Sequence, residues 1–116
     1  MPMPDSETVL LIPRYGMGNA EPDLQLKVMS TYLKLLDENN LLPAIICFYT
    51  EGVKLTVEGS PVLDVLQSLE AKGVRIIVCV NCLTYYDLSD KFRVGIECGL
   101  TDIIEAQWHA SKVLSL

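Results

Sequence analysis

An α/β fold built on a mostly parallel sheet is what this 116-residue sequence predicts, and three observations carry the prediction. Its short apolar runs are continuous rather than alternating. Segments of helical periodicity separate them, and Gly, Pro or Ser punctuates most junctions. A strand apolar at successive positions must be covered on both faces, which is the condition of a parallel sheet between two helical layers.

Residues 8–12 form the first such run, ended by Pro13. Pro22 suits a first helical position and Asp23 the positive end of the helix dipole. Leu24, Val28, Tyr32, Leu35 and Leu36 return to one face, so a helix is predicted over 22–37. A second strand follows at 44–49. Ser60 and Pro61 then read as an N-cap and first turn, with Val62, Leu63, Leu66 and Leu69 as the buried stripe and Gly73 as the stop. The third strand spans 74–80, and a short helix is predicted over 81–88. Thr101 caps a last helical segment in which Ile103, Ile104 and Trp108 recur at helical spacing, and 112–116 is a final strand. With right-handed crossovers this order is a flavodoxin-like three-layer sandwich whose sheet has four or five strands. Residues 1–7 are expected to be a loose tail and 8–116 a single domain.

Half of the residues are hydrophobic and the mean hydropathy is +0.31, more apolar than a small monomer needs, so a homo-oligomer is expected. The net charge is −6, and the nine Lys and Arg are scattered with no basic stripe, which argues against nucleic acid. No apolar run approaches the roughly 20 residues that cross a bilayer, and the start lacks the pattern of a signal peptide. A soluble cytoplasmic protein without a membrane partner is the expectation. Cys47, Cys79, Cys82 and Cys98 are too few to build a disulfide scaffold in a chain with this much core, so reduced thiols are expected.

Ligands of parallel α/β sheets bind beyond the carboxyl ends of the strands, so the segments starting at Arg14, Thr50 and Cys79 are the ones to inspect. Cys79-Val80-Asn81-Cys82 is a CxxC where the third strand meets the short helix. With Asn81 as the cap, Cys79 would lie among amide donors at the positive end of the helix and be the better nucleophile, and Cys82 would exchange sulfur with it. From spacing alone the pair reads equally as a reactive dithiol or as two small buried side chains. Zinc would call for a second pair, which Cys47 and Cys98 do not form, and a thioredoxin-type motif would belong after an earlier strand with a Pro between the cysteines. No metal or cofactor is predicted. Residues 14–19 hold Gly16 and Gly18, but Glu21 stands where a third glycine would complete a phosphate cradle. Arg14, Gly16, Gly52, Lys54, Asn81 and Tyr85 are expected to line the crevice, with Arg14 and Lys54 offering charge to an anionic sulfur species or simply facing water. Cys47 reads as core, and His109, the one histidine, carries no assignment.

The residues Gly52-Val53-Lys54-Leu55, Glu58-Gly59-Ser60, Cys79-x-x-Cys82-Leu83-x-Tyr85-Tyr86-x-Leu88 and Asp90-Lys91-Phe92-x-Val94-Gly95 resemble the DsrE/DsrF-like family from Thr8 onward. They are most similar to the C-terminal domains of the YedF type, named for selenium metabolism. The resemblance implies a flavodoxin-like oligomer and a sulfur-relay role in which a cysteine carries persulfide. The family's cysteine after the third strand falls on Cys79, and the second cysteine of the YedF type falls on Cys82. The chain departs from that type in having Val80 and Asn81 between the cysteines and Asp87 after the tyrosines. The type's preceding sulfur-carrier domain is not expected in the few residues before Thr8, so a separate sulfur-donor or carrier protein is the expected partner. The expected function is that of a sulfur-relay or sulfurtransferase-like protein with persulfide at Cys79 and assistance from Cys82. The alternative is a non-catalytic oligomeric binding or assembly module.

Overall fold

The computed structural model describes residues 5–116. The elements are β1 (Asp5–Ile12), α1 (Pro22–Glu38), β2 (Pro43–Phe48), a 3-10 helix (Thr50–Thr56), α2 (Leu63–Ala71), β3 (Arg75–Cys79), α3 (Val80–Tyr85), β4 (Ile96–Cys98), α4 (Leu100–His109) and β5 (Lys112–Ser115). Five parallel strands form one sheet in the order β4-β3-β2-β1-β5, the flavodoxin-like α/β arrangement expected. Successive connections from β1 to β4 step in one direction, and the connection to β5 returns across the sheet. Right-handed crossovers therefore set α1 and α2 on one face and α4 on the other.

The register fixes which side chains share a face. Leu11 pairs with Cys47, Cys47 with Ile77, Ile77 with Ile96, and Cys79 with Cys98. By the two-residue alternation of strands, all six lie on the α4 side, while Leu10, Ile12, Ile46, Phe48, Ile76 and Val78 lie on the α1 and α2 side. Ile12, Met29, Leu33, Ile46, Phe48, Leu66 and Leu69 are fully buried between that face and its helices. A cavity of about 390 Å³ remains at the β5 end of the same layer, lined in part by Leu10, Tyr32, Leu36 and Leu114.

Several local expectations change. The buried stripe of α1 is Met29 and Leu33, with Leu26, Tyr32 and Leu36 packed beside it; Leu24, Val28 and Leu35 are exposed. The winning stripe repeats at intervals of three and four residues and lies about 100° round the helix from the one the sequence suggested. Ser60 does not cap α2: its Oγ accepts the N–H of Val62 at 3.2 Å in a turn, and the helix starts at Leu63. Asp102, rather than Thr101, closes the start of α4, where its carboxylate accepts the N–H of Gly99 at 3.3 Å. Only Ile103 and Ala106 of α4 are buried, so Ile104 and Trp108 face outward. β1 begins at Asp5, within the segment expected as tail, and residues 1–4 lie outside the described residues. No helix among the described residues is long and apolar enough to cross a membrane.

Candidate functional site

The carboxyl ends of β1, β2 and β3 meet around two sulfur atoms. Cys79 is the last residue of β3 and itself occupies the N-cap position of α3, with φ −65° and ψ 116°. Asn81 therefore falls inside the first turn, exposed, and no side-chain cap bond forms. Because Cys79 still belongs to an inner strand of the sheet, its side chain is only 1 % exposed. Cys82, one turn into α3, is half-buried. The S–H of Cys82 donates to Sγ of Cys79 at 3.1 Å, and the backbone N–H of Thr50 donates to Sγ of Cys82 at 3.1 Å. The reachable thiol is thus Cys82, with Cys79 sealed behind it.

Burial pushes the Cys82 thiol above its usual value of 9.0, and the hydrogen bond to Cys79 pushes in the same direction; the Thr50 amide opposes them. The helix end expected to be capped by Asn81 is instead entered through Cys79, which lies buried beneath the start of a six-residue α3. A raised pKa makes the thiolate scarcer but each thiolate more nucleophilic.

The other predicted residues divide between the site and its scaffold. The Arg14 guanidinium donates to the carbonyl of Gly18 at 2.6 Å, so it shapes its own loop. Gly16, at φ +139°, stands where an added Cβ would lie 2.6 Å from Cβ of Gln25, so it lets the loop lie on α1. Gly52 is buried against the carbonyl of Ile12. Lys54 pairs with Glu51 at 3.3 Å and sits 4.4 Å over the ring of Tyr86. Tyr85 is 83 % exposed and meets Tyr86 edge to face at 5.1 Å. It is Tyr86, four residues beyond Cys82, that lines a cavity of about 500 Å³ together with Tyr15, Lys54, Val57, Glu58, Gly59, Ser60 and Leu88. The sequence placed Thr50 and Tyr15 in segments beside the crevice, since each closely follows an apolar strand run, but gave neither a role of its own.

Cys47 and Cys98 share the α4 face of the sheet with Cys79, Cys98 standing opposite it on β4, and neither is hydrogen-bonded to the pair. Cys47 is fully buried, and burial pushes its thiol up to about 12, with Cys98 adding to the rise and Arg75 opposing it. Its ionisation is thus disfavoured by folding, so its contribution is intact below pH 9 and is lost as pH rises from 9 toward 12. The fall is up to about 1.4 kcal/mol per pH unit. Urea unfolding of wild type and Cys47→Val at pH 8 and pH 10 is expected to show a smaller alkaline loss in the variant, and equal losses would count against this assignment. Among the described residues no group of three or more His, Cys, Asp or Glu is placed to hold a metal ion.

Comparison with known proteins agrees with this architecture. The DsrE/DsrF-like family matches residues 19–116. No curated protein matches the chain. Among solved structures, the crystal structure of the YchN protein from E. coli superposes with a TM-score of 0.65 at 18 % identity, over 95 % of this chain and 98 % of that one, a likeness of fold.

Proposed function

Because the chain belongs to the DsrE/DsrF-like family, which is associated in general with sulfur relay, we propose that it carries sulfane sulfur on the Cys79–Cys82 pair. The observation that supports this most is a part-exposed thiol in contact, at 3.1 Å, with a buried one. The Cys82 thiolate attacks the outer sulfur of a donor protein's persulfide, a new S–S bond forms, and the donor leaves as a thiolate that takes up the proton. Cys79 then attacks the same outer sulfur and releases Cys82, so the cargo ends as a persulfide on the sheltered thiol. No net oxidation occurs in either step. Cytoplasmic residence, where thiols stay reduced, fits this chemistry.

The test is incubation with a persulfide donor followed by intact mass measurement. A gain of one sulfur, removed by reductant, is expected, with a loading rate that climbs from pH 7 and is still climbing at pH 9, since the Cys82 thiol titrates above its usual 9.0. No gain at any pH would end the proposal.

A second reading, an assembly module whose thiols only pack, is favoured by one observation. Leu100, Ile104 and Trp108 make an exposed apolar stripe along α4, the kind of surface a homo-oligomer covers. Failure to load, together with dimers or larger species in sedimentation, would favour it.

A further inference from the structure

Thr50 has φ +47°, a left-handed conformation that a β-branched residue rarely adopts. Such a backbone is strained and persists where surrounding contacts over-determine it. Here the contacts are specific. The Thr50 hydroxyl lies within hydrogen-bonding reach of the carbonyl of Pro13 and of its own neighbour's carbonyl, Tyr49, at 2.8 Å. The Tyr49 N–H donates to the carbonyl of Ile12 at 3.3 Å, and the Gly52 N–H to that of Tyr49 at 3.0 Å. The exit of β2 is thereby tied to the exit of β1. The product of that strained, tied turn is a single backbone amide turned toward a sulfur 32 residues away, the Sγ of Cys82.

We infer that Thr50 supplies an anion-stabilising donor to Cys82: its amide holds the negative sulfur, and its hydroxyl is the positioning element that keeps the amide there. The inference deepens the sulfur-relay reading and rests on it for its biological use. In that relay Cys82 is anionic twice, first as the attacking thiolate and again as the group released when Cys79 takes the cargo. A donor fixed beforehand stabilises the charge at both moments without reorganising. Water is a poor substitute, because the thiol is half-buried and the amide already occupies one side of the sulfur.

The experiment reads the anion directly, without any sulfur donor. Alkylation of Cys82 by iodoacetamide, located by peptide mass, is followed from pH 7 to pH 10 in wild type and in Thr50→Ser, Thr50→Val and Thr50→Gly. The serine variant keeps the hydroxyl and is expected to retain the wild-type profile. The valine variant keeps the shape without the hydroxyl, and its profile is expected to move to higher pH, slowing alkylation at pH 8 about tenfold, as for loss of one hydrogen bond to a charged group. Glycine adopts the positive φ without strain but also loses the clamp, so a shift in the same direction is expected even if the valine variant does not fold. A purely structural role would lower the unfolding midpoint and leave the profile in place. Superimposable profiles for wild type, Thr50→Val and Thr50→Gly would overturn the inference. A chain with an ester in place of the Thr50 amide, assembled by ligation at Cys47, removes the donor itself and must show the same upward shift. Shifted profiles in the valine and glycine variants, with no sulfur loading of the wild type, would leave the anion site standing and tell against the relay alone.

Discussion

Gly52→Ala is expected to be the most damaging single-methyl change in the molecule. A Cβ at this position would stand 1.9 Å from the carbonyl oxygen of Ile12, 2.9 Å from its carbon and 3.4 Å from the nitrogen of Arg14. All three obstacles are backbone. Ile12 is fully buried at the end of β1, and its oxygen also accepts the N–H of Tyr49, so the carbonyl cannot retreat without parting β1 from β2. Gly52 has an ordinary negative-φ backbone in the 3-10 helix, and what it supplies is room. Overpacking usually costs about 1–3 kcal/mol, and an immovable neighbour puts this case at or above the upper end. Against a typical total stability of about 5–15 kcal/mol, the variant should lose a large part of its folding free energy. Urea unfolding followed by far-ultraviolet circular dichroism measures it, and a midpoint within error of wild type would show that this contact is wrongly drawn.

The second large effect concerns the order of the two sulfurs. Cys82→Ser is expected to suppress sulfur loading from a persulfide donor at least a hundredfold, about 3 kcal/mol in barrier, because the buried Cys79 is left without an entry thiol. Cys79→Ser is expected to load at a near-normal initial rate, with the adduct stranded on Cys82 and stripped quickly by a small thiol. Cys79 is 1 % exposed, so its serine variant should also lose about 1–3 kcal/mol of stability, and loading must be compared where both variants are folded. The opposite pattern, loss of loading with Cys79→Ser and retention with Cys82→Ser, would make Cys79 the direct acceptor.

Much of the architecture was legible because it rests on composition over several residues. The continuous runs at β1, β2 and β3 mark strands buried on both faces, and Pro22 marks the start of α1. β4 was not legible. Its three residues, Ile96–Cys98, are too few for any periodicity, and only pairing with β3 makes them a strand. The 3-10 helix after β2 also escaped, since a stretch of three-residue turns holding a glycine reads locally as loop. At the site, the CxxC and its place at the end of β3 were readable, and so was its nearness to the residues after β2. Which cysteine faces water was not, because one residue of strand length decides whether Cys79 starts a helix in solvent or ends an inner strand. The contribution of Thr50 depends on a backbone torsion and a contact across 32 residues, neither of which leaves a local pattern.

Trp108 is the one tryptophan of the chain and is 80 % exposed on the outer side of α4. Its indole is already hydrated in the folded monomer, so its fluorescence should change little on unfolding. The same indole should shift its emission to the blue whenever anything dry settles on that helix. The chain therefore carries a built-in optical reporter of contacts along α4, which will register a neighbour's arrival while staying nearly silent during denaturation.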